Sequence, residues 1–159
     1  MFAKVEKVIA KTAIIIFWVM FAILMLGPMI QAFSAEKGYS WEQTLNAIRV
    51  VETGGSPNDG IGAVGDGGKA LGPYQIWKAY WIDANINCHR KYSEVLNDKE
   101  LSEKVVYRYM KRYQSKALQR LLSGNGTIYD VERVSRTHNG GPKGFFRKAT
   151  LPYFLKVKT

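Results

Sequence analysis

The chain has 159 residues, room for one compact domain and little for two. At 47% hydrophobic, 23% charged and 13% aromatic residues it is no disordered chain, and its single cysteine, Cys88, excludes an internal disulfide and a Cys-based zinc site. The formal net charge of +10, from 23 Lys+Arg against 13 Asp+Glu, predicts attraction to a polyanion such as nucleic acid, anionic lipid or an acidic wall polymer.

The first element is apolar. Lys4, Lys7 and Lys11, opposed only by Glu6, precede residues 12–33, which hold no ionisable side chain. That run of about 22 residues is long enough to cross a hydrocarbon core of about 30 Å as a helix. It lacks the polar stripe of a buried helix, and the flanking lysines keep the N-terminus in the cytoplasm. Gly27-Pro28 and the small residues around Ala32 and Ala35 also suit a signal peptide. Residues 1–35 are therefore expected to be a membrane anchor or signal segment, and residues 36–159 an extracytoplasmic domain. Residues 36–159 keep 20 Lys+Arg against 12 Asp+Glu, so the +8 belongs to the domain itself. An exported domain of this kind is not expected to bind nucleic acid.

Ser40-Trp41-Glu42-Gln43 reads as a capping box, and Trp41, Leu45 and Ile48 predict a helix from Trp41 to about Glu52, stopped by Gly54-Gly55. Residues 57–72 hold six glycines and two Asp, which predicts a loop or small hairpin able to wall a cleft. Tyr74 to Ala84 reads as a short helix. Asn97-Asp98 caps one long helix in which Leu101, Val105, Tyr109, Tyr113, Ala117 and Leu121 recur every four residues up to Gly124. A helix over 130–137, a turn at His138-Asn139-Gly140-Gly141-Pro142 and a last segment over 145–157, punctuated by Pro152, complete a mostly helical α+β set.

Positions 41, 45, 48 and 52 share one helix face, so Glu52 continues an apolar stripe. Partial burial and the negative end of the helix dipole both favour its protonated form, as a general acid needs. A second carboxylate would come from the Gly-rich stretch, where Asp59 and Asp66 are open alternatives; Asp-Gly is also an ordinary turn dipeptide. His138 reads as a base, a ligand or a polar cap. His89 is the only other histidine, and with no HExxH spacing neither a metal nor another cofactor is expected.

These strings, in this order, resemble the invertebrate-type (i-type) lysozymes, the destabilase group, over residues 44–156. Glu52-Thr53-Gly54-Gly55 is similar to the family's E-S-G, and Asp66 to Ile76 (D-G-G-K-A-L-G-P-Y-Q-I) to its D-V-G-S-L-S-C-G-P-Y-Q-I. A-Y-W-I-D-A, Tyr109 to Tyr113 and Arg136 to Gly144 follow in register. The resemblance implies a lysozyme-like α+β fold and a muramidase cleaving the β-1,4 bond between N-acetylmuramic acid and N-acetylglucosamine of peptidoglycan. It implies Glu52 as general acid and Asp66 as second carboxylate, with Tyr74, Gln75, His138, Asn139 and Gly140 as substrate contacts. The family is rich in disulfides, whereas Leu71 stands here at the familiar Cys position, which suits a bacterial or phage version. Asp66 lies six residues before Gly72 rather than seven, and the stretch that is serine-rich in some members reads Gly67-Gly68-Lys69-Ala70, so isopeptidase activity is not implied. The same landmarks also resemble lytic transglycosylases and goose-type lysozymes, in which Glu52 alone would act and Asp66 would be idle. A non-catalytic wall-binding or structural role is the remaining alternative.

Overall fold

A computed structural model describes residues 16–18, 20–21, 38–85 and 89–158. The chain divides into two compact units, Met1–Lys37 and Gly38–Thr159. In the first, the described residues are helical and the rings of Phe17 and Phe21 stack 6.4 Å apart. Most of the apolar span expected over residues 12–33 lies outside the described residues, and no described helix is long and apolar enough to cross a membrane.

The second unit starts with helix α1, Trp41–Thr53. The expected capping box forms: the Ser40 hydroxyl accepts from the Gln43 N–H at 3.1 Å and Gln43 Oε1 from the Ser40 N–H at 2.9 Å. Gly54 ends the helix at φ 62°, a left-handed conformation that glycine adopts without steric cost.

The Gly-rich stretch is a small antiparallel sheet, in which β1 (Val64–Gly65), β2 (Ala70–Leu71) and β3 (Ile76–Trp77) lie in chain order. Val64 pairs with Leu71 and Gly65 with Ala70; Ala70 then pairs with Trp77 and Leu71 with Ile76. A 3-10 turn, Asp66–Gly68, makes the β1–β2 connection. Helix α2 is shorter than expected, Lys78–Ala84, because Gly72 to Gln75 form the turn into β3.

The predicted long helix is two: α3, Lys99–Tyr113, capped by the Asp98 carboxylate, and α4, Ser115–Leu122, separated at Gln114 (φ −136°, ψ 39°). A strict four-residue step precesses by about 40° per step at 3.6 residues per turn, so one straight helix would carry the six apolar positions halfway round its axis. The break re-aims the stripe, and Leu101, Val105, Tyr109, Ala117 and Leu121 are all buried. Gln114 is buried too, its amide donating to Thr137 Oγ1 at 2.8 Å and accepting from Arg133 Nε at 2.9 Å.

Helix α5 extends to Ile128–Gly140, so His138 sits in its last turn rather than in a loop. Pro152 does not interrupt the last segment; it occupies the first turn of α6, Leu151–Val157, where its missing N–H costs nothing. Without a disulfide, the unit rests on a core including the fully buried Ile48, Val95, Val105, Met110, Leu121 and Val134. Each such side chain contributes roughly 1.5–3 kcal/mol of burial.

Candidate active site

The end of α1, the hairpin, α2, α3 and the end of α5 enclose a cleft of about 460 Å³ that brings together Glu52, Asp66, Gln75, Trp77, His138 and Asn139. Glu52 enters it because it continues the face that buries Leu45 and Ile48, and its side chain retains 18% exposure. Two neighbours meet at one oxygen. The Tyr153 hydroxyl donates to Glu52 Oε1 at 2.6 Å, and His138 Nε2 lies 3.4 Å from that atom. His138, with a side chain 3% exposed, meets the Tyr80 hydroxyl through Nδ1 at 3.2 Å. Tyr80 is itself fixed by stacking on Tyr109, with ring centroids 3.6 Å apart.

Burial pushes the hydroxyls of Tyr80 and Tyr153 well above the ordinary phenol range. The charges of Tyr109 and Glu52 add to the effect at Tyr80, and that of Glu52 at Tyr153. Both stay protonated donors throughout the accessible pH range. A phenol donates more readily than it accepts, so Tyr80 favours the His138 tautomer with hydrogen on Nε2, facing Glu52.

Asp66 stands at the exposed rim, at φ 52°, where its side chain has no hydrogen-bond or ion-pair partner among the described residues. Asp59, the other sequence candidate, is not brought to Glu52. It lies outside the cleft, bound by Lys99 Nζ and Arg49, each at 2.6 Å, and the Lys99 hydrogen bond and the Arg49 charge hold its carboxyl below the usual range.

The expected substrate contacts divide. Gln75, His138 and Asn139 line the cleft. Gln75 also braces the hairpin: its amide donates to the Gly72 carbonyl at 3.0 Å, and a Cβ on Gly65 would come within 2.0 Å of its Oε1. Tyr74 does not line the cleft: it is 1% exposed, and its hydroxyl donates to Glu103 at 3.1 Å. Gly140 does not line the cleft; its neighbours Gly141 and Pro142 do. Sequence reasoning missed Tyr80, Asp83, Tyr109, Trp77 and Tyr153. Tyr153 lies 101 residues from the carboxylate it touches, with no local pattern to mark it. Among the described residues no group of three or more His, Cys, Asp or Glu is placed to hold a metal ion.

Helices around a three-stranded hairpin, with a carboxylate ending the first helix, define a mostly helical, lysozyme-like fold, and the comparisons give it a family. The chain belongs to the Destabilase family, whose model matches residues 42–159, as the sequence resemblance implied. It is 33% identical to a lysozyme of Ostrea edulis over 56% of this chain and 58% of that protein. It is 34% identical to an invertebrate-type lysozyme of Ruditapes philippinarum over 55% and 58%, and 31% identical to Lysozyme 1 of Crassostrea virginica over 79% and 62%. The chain thus spans less than two thirds of the length of these relatives. Among solved structures it is similar to Tapes japonica lysozyme, with a TM-score of 0.59 at 31% identity over 77% of this chain and 91% of that one. A chain in the complex of Aeromonas hydrophila PliI with Meretrix lusoria lysozyme gives a TM-score of 0.57 at 27% identity, over 76% and 90%.

Proposed function

We propose that the protein is a muramidase, a glycoside hydrolase that cleaves the β-1,4 bond between N-acetylmuramic acid and N-acetylglucosamine in peptidoglycan. One observation carries the reading: a half-buried, hydrogen-bonded carboxyl, Glu52, shares a cleft with an exposed carboxyl, Asp66. Glycosidic cleavage asks for that division between an acid and a charge stabiliser. With Oε1 occupied by Tyr153 and His138, Glu52 delivers its proton from Oε2 to the leaving oxygen. The Asp66 side chain stabilises the oxocarbenium-like state. Trp77, 44% exposed in the cleft wall, offers a ring face for sugar stacking. The lysozyme names of the relatives support the same substrate.

A second reading, lytic transglycosylase, is favoured by the isolation of Asp66 at the rim: Glu52 would act alone while the substrate's own 6-hydroxyl attacks. Asp66→Asn separates the two. Hydrolysis predicts reducing ends from the parent and a loss of at least about a hundredfold in the variant; 1,6-anhydro ends from a fully active variant support the transglycosylase.

The lysines and apolar run of the first 35 residues support an anchor or signal that places the domain at the extracytoplasmic face of a membrane, as in a bacterial or phage lysis enzyme. Mass spectrometry of fractionated cells tests this. The reading expects full-length protein of 18.0 kDa in the membrane, or a species starting near Ala35 outside it. Uncleaved protein free in the cytosol overturns it.

A further inference from the structure

Charge is segregated around the cleft. Glu52, Asp66 and Asp83 line it and among the described residues no Lys or Arg does, although residues 36–159 carry 20 of them and Lys69 Nζ lies 5.9 Å from the ring of Trp77 in its wall. Asp83 also borders a second concavity of about 610 Å³, lined further by Lys104, Tyr107, Arg108, Lys111 and Arg112. The acidic cleft and the basic groove thus adjoin at Asp83.

The four cations occupy one side of α3, at steps of four, three and one. Arg108 Nε donates to the Ala84 carbonyl at 3.1 Å and Arg112 to the Asp83 carbonyl at 3.2 Å, so the two guanidinium groups close the C-terminal end of α2 and shape the groove. The acid beside them is not neutralising a lysine: the Asp83 carboxylate accepts from the Tyr113 hydroxyl at 3.0 Å. Lys104 and Lys111 are exposed, about 10 Å apart along the helix at 1.5 Å per residue. Neither has a hydrogen-bond or ion-pair partner among the described residues. A concave wall with four cations against the single carboxylate of Asp83 concentrates anions.

The occupant follows from what a strand in the cleft would carry. The sugar backbone of peptidoglycan is neutral, but its muramoyl residues bear a peptide with free carboxylates, attached through the lactyl group. We propose that the basic groove is a subsite for the carboxylates of a peptide carried by the strand bound in the adjoining cleft. This rests on the muramidase reading above. A neutral sugar then lies against the carboxylates of the cleft while its anionic appendage meets Lys104 and Lys111, so the protein discriminates peptide-bearing from stripped strands.

Equilibrium binding to the full chain, with Glu52→Gln to stop turnover, tests the subsite. The ligands are a peptidoglycan tetrasaccharide with its peptides and the same tetrasaccharide after amidase removal of them, which leaves a lactyl carboxylate on each muramoyl residue and takes away the carboxylates of the peptide that the groove would hold. The peptide-bearing form is expected to bind about tenfold tighter at low salt, as complementary surface charges allow. Lys104→Glu with Lys111→Glu is expected to erase that preference, while Lys116→Glu with Lys148→Glu, the same change of charge elsewhere, keeps it. Equal affinity for both glycans overturns this proposal alone, and so does loss of the preference in the control pair. Failure to bind either glycan overturns it together with the muramidase reading. Binding of phosphatidylglycerol vesicles through Lys104 and Lys111, without a peptide preference, also overturns it and assigns the surface to lipid.

Discussion

Three distant stretches of chain meet at Glu52: α1 carries it, α5 brings His138 and α6 brings Tyr153. The 4-3-4 spacing that buries Leu45 and Ile48 made Glu52 legible as an unusual carboxylate. Its partners were not legible, because nothing within a helical turn of Tyr153 or Tyr80 records contact with residues so far off in sequence. Tyr153→Phe removes the 2.6 Å hydrogen bond while keeping the ring, so kcat on peptidoglycan is expected to fall about ten- to a hundredfold with KM little changed. A kcat within twofold of the parent contradicts the positioning role. Asp130 shows a structural carboxylate by contrast. Burial alone would raise its carboxyl, yet hydrogen bonds from Arg120 Nε and the Thr127 N–H, both at 2.9 Å, hold it below the usual range. A depressed folded-state value stabilises the protein above the unfolded carboxylate range, near 4, and the effect is lost as pH falls through the folded value. Asp130→Asn is therefore expected to cost about 2 kcal/mol at pH 7. Thermal melts should show the difference shrinking toward pH 3, and a difference independent of pH contradicts the assignment.

The elements were legible where a local signal sufficed. The Ser40–Gln43 box, the Gly54 stop and the Asp98 cap all sit where expected. The α3–α4 break was missed because each four-residue step looks helical in isolation; only the accumulated drift, and the non-local partners of Gln114, reveal it. The Gly and Pro that follow His138 signal a turn there, yet α5 runs on to Gly140. The hairpin depends on close backbone approach. Gly72, at φ 72°, has the Val95 carbonyl 2.0 Å from where a Cβ would stand, and that carbonyl already accepts from Ser102 Oγ at 2.9 Å. Gly72→Ala combines a strained φ with an overlap against fixed backbone, and is expected to cost about 2–4 kcal/mol in urea unfolding. A cost under 0.5 kcal/mol contradicts this view of how the hairpin is anchored.

Across the whole molecule, the net charge of residues 36–159 is +8, yet among the described residues no Lys or Arg lines the cleft. Long-range attraction to an anionic wall and local chemistry on a neutral sugar are thus separable. Exposed charges lose their reach as the screening length contracts to about 3 Å near 1 M salt. Activity on whole walls is expected to fall with salt, and activity on a neutral chitooligosaccharide to change much less; equal sensitivity contradicts the separation. The central claim is that Glu52 supplies the proton that breaks the glycosidic bond. Its most direct test is quantification by mass spectrometry of muropeptide ends released from purified peptidoglycan by the parent and by Glu52→Gln at equal folded concentration. The account predicts reducing N-acetylmuramic acid ends from the parent and release at least about a thousandfold slower from the variant, whose amide keeps the shape and lacks the proton. Release by the variant within tenfold of the parent would contradict it.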